Sequence, residues 1–146
     1  MKWLPLLFGC LPFFLGRLLD WSLWTIFYQT GFPVPFWVVC AVSLFLWGLL
    51  AWCVCRCSGG RWLGLILLNL PAFVTLLLLG IQEVILHAYW MNAAGIWTQM
   101  FYLPFIGVGF VLTSWSSSVF SAYCASFLLM VFFSALGYLI RRRGIF

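Results

Sequence analysis

Three long apolar runs without a single charged side chain dominate the sequence. They cover residues 34–55, 62–81 and 119–140. An α-helix rises about 1.5 Å per residue, so each run reaches about 30 Å, which is the thickness of the hydrocarbon core of a bilayer. The three runs therefore predict helices that cross a membrane.

The overall composition agrees with this interpretation. Only 6% of the 146 residues are charged and 66% are hydrophobic, whereas an average soluble domain is about 25% charged. So few charges cannot cover the surface of a soluble protein with polar groups. We therefore exclude a soluble enzyme, a disordered chain and a nucleic-acid-binding domain, and we expect the lipid bilayer as the chain's surroundings.

Two further apolar segments are harder to interpret. Residues 3–28 are long enough to span, and within residues 97–115 the apolar stretch 100–113 is short. Two prolines and two charged residues interrupt the first segment, namely Pro5, Pro12, Arg17 and Asp20. One proline and two glycines interrupt the second, namely Pro104, Gly107 and Gly109. The second segment is predicted to be re-entrant, to lie in the interface, or to form an additional span.

The positive charges predict the orientation. Arg56 and Arg61 flank the loop between the second and third spans, and Arg141, Arg142 and Arg143 follow the last one. Cytoplasmic loops carry an excess of Lys and Arg, so both places should be cytoplasmic. An even number of crossings must then lie between them, and the interval has room for two.

The predicted fold is a single all-α transmembrane domain over residues 1–146. Its four spans are residues 3–28, 34–55, 62–86 and 119–140, with both termini in the cytoplasm and the plasma membrane as the expected location. The alternative has five spans, with residues 97–115 crossing as well. That alternative places some of the basic residues on the side that the charge rule disfavours.

Four ionisable residues are candidates for a functional site, because charges within membrane segments are unfavourable and often functional. They are Arg17, Asp20, Glu83 and His87. By helical rise, all four should lie at one level near the outer side. Glu83 and His87 are spaced to meet on one helix, as are Arg17 and Asp20. The cluster either binds protons or cations or pairs its charges to stabilise the bundle.

Asn69 lies near the middle of the third span, two residues before Pro71. An amide at this depth either contacts a ligand or forms a hydrogen bond between helices. The second interpretation is favoured, so Asn69 is predicted to be an intrabundle polar contact.

The cysteine pattern adds one open question. Cys53, Cys55 and Cys57 alternate at the cytoplasmic end of the second span. Three thiols without a fourth ligand are a weak zinc pattern, and cysteines beside a membrane can carry acyl chains. Reduced cysteines without a ligand are the expected state.

These patterns favour a non-catalytic function. No phosphate-binding loop, redox pair or metal motif is present in the sequence, and we expect no cofactor. The predicted role is an accessory or assembly subunit that packs with itself or with a larger membrane partner. The alternative is a small transporter or channel that uses Arg17, Asp20, Glu83 and His87.

Overall fold

The computed structural model describes residues 3–31, 35–54 and 62–142, and in these residues all regular structure is helical. Five helical segments are long and apolar enough to cross a membrane. The helices are α1 (Leu4–Gly9), α2 (Leu11–Thr30), α3 (Phe36–Val54), α4 (Leu63–Gly80), α5 (Ala93–Leu112) and α6 (Val119–Arg142). A π-helical turn, Ile81–Ile85, extends α4. The chain is thus consistent with a helical membrane protein.

Helices α1 and α2 together form the first apolar segment, Leu4–Thr30. The junction at Cys10 follows from Pro12. Proline has no N–H to donate and its ring clashes with the carbonyl four residues earlier, so a continuous helix through this position is disfavoured. Gly31 ends α2 with a φ of 67°, a left-handed conformation that glycine adopts readily at the end of a helix.

Helices α4 and α6 are antiparallel neighbours. Asn69 near the start of α4 donates to Ser134 late in α6 at 2.9 Å. Glu83, beyond the other end of α4, accepts from the backbone N–H of Phe120 at the start of α6 at 2.9 Å. The two contacts show that α4 ends at the level where α6 begins.

Helix α3 packs closely along α6. Gly137 of α6 lies against the carbonyl of Gly48 of α3, so that a Cβ at position 137 would overlap the backbone of α3. The start of α4 joins the same end of the bundle, because the rings of Trp62 and Tyr138 are 5.2 Å apart. The end of α3, the start of α4 and the end of α6 therefore lie together.

Helix α5 runs obliquely across the bundle. Near its start, Thr98 bonds to Gln82 beyond the end of α4, and near its end Gly109 lies against Ala122 at the start of α6. About 16 Å of helix separates Thr98 from Gly109, yet their two partners lie at nearly the same level. Both ends of α5 therefore stay near the end of the bundle where α4 ends and α6 begins.

The proline and glycines that interrupt α5 in the sequence are its points of close contact. Pro104 removes the N–H that would bond to the carbonyl of Met100, and that carbonyl faces Gly16 of α2. A Cβ at Gly107 would lie 2.8 Å from the sulfur of Cys40 in α3. Small residues let helix backbones approach in this way, and α5 is consequently the most buried of the five spanning candidates, with 44% of its apolar window buried.

The centre of the core lies around α5. Phe101 and Tyr102 are fully buried, and Phe105 is 1% exposed. The hydroxyl of Tyr102 donates to the carbonyl oxygen of Ala72 in α4 at 2.7 Å. A buried tyrosine needs such a partner for its hydroxyl, so this bond fixes the depth of α5 against α4.

Candidate functional site

Three of the four ionisable candidates, Glu83, Arg17 and Asp20, belong to two groups of polar residues with separate partners. The first lies where α4 ends and α6 begins, and we call it the Glu83 site: Gln82, Glu83, Tyr89, Thr98 and Ser118. The second is the Arg17–Asp20 pair on α2, a helix that packs mainly against α5.

The backbone of the Glu83 site departs from a regular α-helix. In the turn Ile81–Ile85 the N–H of Leu86 donates to the carbonyl of Ile81 at 3.0 Å, a bond that spans five residues. Turns of this kind are frequent at functional sites. The chain then reverses at His87, whose φ of 49° lies in the left-handed region. This reversal brings the segment after His87 back over the end of α4.

The carboxylate of Glu83 accepts three hydrogen bonds from two different segments. The hydroxyl of Ser118 donates at 2.8 Å and the backbone N–H of Phe120 at 2.9 Å. The hydroxyl of Tyr89 donates to the other carboxylate oxygen. The first turn of a helix carries unpaired N–H groups and a partial positive charge. Glu83 therefore acts as a cap for α6 that comes from another helix.

Gln82 holds the loop after His87 against the end of α4 through buried hydrogen bonds. It is fully buried, and its amide nitrogen donates to the hydroxyl of Thr98 at 3.3 Å. Its amide oxygen accepts from the backbone N–H of Trp90 at 3.1 Å. Thr98 in turn donates to the carbonyl of Gly95. Gln82 thereby joins the end of α4 to the loop and to the start of α5.

Tyr89 lies in the loop between the helices and has an altered acidity. Burial raises the pKa of its hydroxyl, and the hydrogen bond to Glu83 raises the pKa further. Both effects favour the protonated phenol, which is the form that can donate to a carboxylate. Tyr89 therefore acts as a fixed neutral donor at this site.

His87 does not continue the helical face of Glu83. The helical structure ends at Ile85, and His87 is an exposed residue in the reversal. The prediction that Glu83 and His87 meet one turn apart on one helix is wrong, because the π-helical turn and the left-handed residue redirect the chain.

Arg17 and Asp20 meet as the sequence spacing allows. The guanidinium of Arg17 donates to the carboxylate of Asp20 at 3.4 Å, and this is the one salt bridge among the residues that the structure describes. The side chains are 64% and 27% exposed, respectively. Arg17 is the middle residue of Leu4–Thr30, about 20 Å along the helix from either end.

The two groups hold different places along their own helices. Glu83 lies at the end of its helical segment, whereas Arg17 lies halfway along its own. These positions do not compare the levels of the two groups, because α1 and α2 are not one straight helix. The expectation of one common level, with Arg17 near Glu83, therefore stays a prediction.

Asn69 is 8% exposed and lies between α4 and α6. Its amide nitrogen donates to the carbonyl of Leu65 at 3.0 Å and to the hydroxyl of Ser134 at 2.9 Å. Its amide oxygen has no hydrogen-bond partner among the described residues. The amide nitrogen thus provides a direct polar contact between the two helices.

The cysteine pattern is only partly described. Cys53 is an exposed free thiol at the end of α3, while Cys55 and Cys57 lie outside the described residues. Cys53 lines an apolar groove of about 740 Å³ between α2 and α3, with Phe105 at its base. Within the described ranges, no three His, Cys, Asp or Glu side chains form a group that could hold a metal ion.

Sequence reasoning missed most of the Glu83 site. The sequence patterns assign no role in a functional site to Gln82, Tyr89, Thr98 or Ser118, although one usable signal is present. Ser118 directly precedes an apolar run, as residues that cap a helix often do. The other three come from segments whose proximity depends on the chain reversal after Ile85.

Comparison with known proteins adds no relative. No family model, curated protein or solved structure matches this chain.

Proposed function

We propose that this is a non-catalytic multi-pass membrane protein that works by assembling with another membrane protein, either a second copy or a larger partner. One observation carries the proposal: Arg17 is 64% exposed halfway along an apolar helical segment. A charged group exposed on the surface of an apolar membrane helix is unfavourable. A protein partner that covers this face of α2 removes that penalty.

The other polar side chains support the same proposal because their bonds hold the bundle together. Glu83 joins the end of α4 to α6, Gln82 joins it to α5, and Asn69 joins the start of α4 to α6. These bonds favour a fixed scaffold that presents a surface to a partner.

A four-span arrangement with both termini in the cytoplasm belongs to the proposal. It is supported by the bond from Phe120 to Glu83, which connects the two ends of the segment containing α5. On this proposal, α4 and α6 are successive crossings and α5 is an oblique helix within the outer half of the membrane. Trp62 and Tyr138 meet at the opposite end of the bundle. In the sequence, Arg61 directly precedes Trp62 and Arg141 directly follows Ile140, which suits a cytoplasmic face of the plasma membrane.

Site-directed labelling tests this topology. Met91 before α5 and Trp115 after it are 93% and 83% exposed. Single cysteines at these positions, in a chain without native cysteines, should both react with an impermeant maleimide added outside intact cells. Gly60→Cys should react only after permeabilisation. Reaction of Met91→Cys and Trp115→Cys from opposite sides would establish five spans.

Gentle extraction tests the assembly function. The full chain, solubilised in a mild detergent, should elute with a stoichiometric membrane-protein partner or as a homo-oligomer. The double variant Arg17→Gln, Asp20→Asn should lose that association. Leu128→Ala, at a 66% exposed position on α6, is the matched control and should keep it. A monomer that elutes alone from every mild detergent tested contradicts the proposal.

A small transporter or channel is the second candidate, and the π-helical turn beside Glu83 favours it. Turns of this kind recur at functional sites, and a partly exposed carboxylate is a suitable proton or cation ligand. Asp20 and Arg17 would belong to the pathway only if partner binding or movement brought them closer to Glu83.

Flux measurements separate the two functions. In liposomes with purified protein, a transporter should carry protons or cations, and Glu83→Gln should abolish that flux while the protein stays folded. Val84→Ala, at the exposed neighbouring position, is the control and should retain it. Wild-type liposomes without flux for H⁺, Na⁺ or K⁺ would exclude a proton- or alkali-cation-conducting role.

A further inference from the structure

The uncovered face of α2 has the spacing of a helix–helix interface. Residues that alternate in spacing between three and four positions lie along one stripe of a helix. Helix α2 has five exposed residues with this spacing. They are Phe14, Arg17, Trp21, Trp24 and Tyr28. A repeat of alternating three- and four-residue steps is the pattern by which two helices pack at a shallow crossing angle. We call this face the α2 stripe.

Apart from the ring contact of Phe14 with Trp97 of α5, the α2 stripe is uncovered in the bundle. Phe14 and Trp21 are each 65% exposed, and Trp24 is 55% exposed. Only 17% of the apolar window in Leu4–Thr30 is buried, against 44% for α5. The opposite face of α2, at Gly16, is the one that packs on α5. The stripe is therefore free to receive a partner helix.

We propose that the α2 stripe is the interface at which two copies of this chain pair, with their α2 helices parallel about a two-fold axis along the membrane normal. This proposal rests on the assembly function above and names its partner. In such an interface each contact occurs twice: if Arg17 of the first copy contacts Asp20 of the second, then Asp20 of the first copy contacts Arg17 of the second.

Charge complementarity identifies a second copy as the partner. Arg17 and Asp20 are one helical turn apart, so parallel α2 helices place each Arg17 within about 5 Å, along the axis, of the partner copy's Asp20. The contact within one chain uses one N–H of the guanidinium, which carries five. Two copies thus add two reciprocal ion pairs to the Arg17–Asp20 pair of each chain, which gives a cluster of four charges without net charge.

The aromatic members of the stripe contribute packing on both sides of the charges. Trp24 stacks on Tyr28 at a ring separation of 5.3 Å, and Phe14 meets Trp97 of α5 at 6.1 Å. Both pairs hold their rings in place before a partner arrives, which lowers the entropy lost on association. The polar residue between them sets the register, as a single polar core position does in paired helices.

Mixing two variants tests the reciprocal pairing. Arg17→Gln alone and Asp20→Asn alone each remove both ion pairs from a dimer of identical copies. When the two variants are expressed together with different tags, Asp20 of the first meets Arg17 of the second, and one ion pair returns. We expect each variant alone to dimerise roughly tenfold more weakly than wild type. The mixed dimer should be recovered more strongly than either.

Cross-linking provides an independent readout. Trp21→Cys on the stripe should form a disulfide dimer in membranes on mild oxidation, in a chain without native cysteines. Leu128→Cys on α6, equally exposed but off the stripe, should stay monomeric. If the charge variants fail to give a folded, monodisperse protein, this comparison still decides the proposal.

Several results would overturn the homodimer. Mixed variants that pair no better than the single ones, or a Trp21→Cys chain that stays monomeric, would contradict it. Recovery of a foreign stoichiometric partner without a second copy would overturn the homodimer and leave the assembly function standing. A lone monomer without any partner would overturn both.

Discussion

The Glu83 site and the Arg17–Asp20 pair both contain a carboxylate, but the two carboxylates differ in their hydrogen bonding and in their surroundings. The carboxylate of Glu83 receives three hydrogen bonds from the loop after α4 and from the start of α6. Asp20 receives one long contact from Arg17 on its own helix. Glu83 lies where α4 ends and α6 begins, and Arg17 lies halfway along Leu4–Thr30 on an uncovered face.

The difference shows how position decides the role of a charge in a membrane protein. At the end of a bundle, a carboxylate can satisfy the unpaired N–H groups of a neighbouring helix and so stabilise the fold. On the uncovered face of α2, Arg17 has an ion pair with Asp20 of its own helix, and on our proposal a partner protein covers both charges. Glu83 is thus expected to matter for folding, and Arg17 for association.

Removal of the Glu83 carboxylate should have the largest effect on stability. Glu83→Ala leaves the hydroxyls of Tyr89 and Ser118 and the N–H of Phe120 without their acceptor. Hydrogen bonds to a charged group contribute about 1.5–3 kcal/mol each, less where water can replace the partner. We expect a loss of about 3 kcal/mol in equilibrium unfolding in mixed detergent micelles. Glu83→Gln, which keeps one acceptor oxygen, should lose about half of that. An unchanged unfolding midpoint would contradict the capping role.

Gln82→Met should have the next largest effect. The methionine has a similar size but leaves the N–H of Trp90 without its acceptor in a buried site, and an unsatisfied buried group costs about 1–3 kcal/mol. The same unfolding assay should show a loss of about 2 kcal/mol. Val84→Met at an exposed neighbouring position is the control and should stay within about 0.5 kcal/mol of wild type.

Asn69→Leu should have a smaller effect. It removes the hydrogen bond to Ser134 between α4 and α6, and such bonds contribute about 0.6–2 kcal/mol in membrane proteins. It also removes an amide oxygen that has no partner in the described residues, which offsets part of the loss. We expect a destabilisation of about 1 kcal/mol. Ser134→Ala should give a similar value, and the double variant should lose no more than either single one if the bond is the cause.

Arg17→Gln should have the smallest effect on the isolated chain. Exposed ion pairs contribute about 0–1 kcal/mol, so the unfolding midpoint of the monomer in detergent should change by less than about 0.5 kcal/mol. The same variant should weaken association strongly. A large loss of monomer stability would place Arg17 with Glu83 as a folding residue and remove the contrast between the two sites.

The sequence predicted the helical membrane class because that class depends on local properties. A charge-free run such as residues 119–140 is stable in a bilayer as an α-helix, since every backbone N–H and C=O group must form a hydrogen bond within the segment. The pairing of Arg17 with Asp20 was also predictable, because both lie on one helix and their spacing is fixed by its geometry. No information about the rest of the chain was needed in either case.

The position of α5 could not be predicted in the same way. Pro104, Gly107 and Gly109 lower helix propensity, and they made this segment look like the weakest helix of the chain. In the folded bundle Gly107 and Gly109 admit Cys40 of α3 and Ala122 of α6. Glycines that lower the helix propensity of α5 thus improve its packing, because small residues let neighbouring backbones come close.

By itself, the sequence determined the helical class and where the apolar segments long enough to cross a membrane lie, because both follow from hydrophobicity and from the rise of a helix. Only the tertiary structure decided which polar groups meet. The π-helical turn after α4 and the reversal at His87 bring Tyr89, Ser118 and Phe120 to Glu83, and the packing of α2 on α5 leaves Arg17 uncovered. Those contacts join segments far apart in the chain, and they depend on crossing angles that no local pattern specifies.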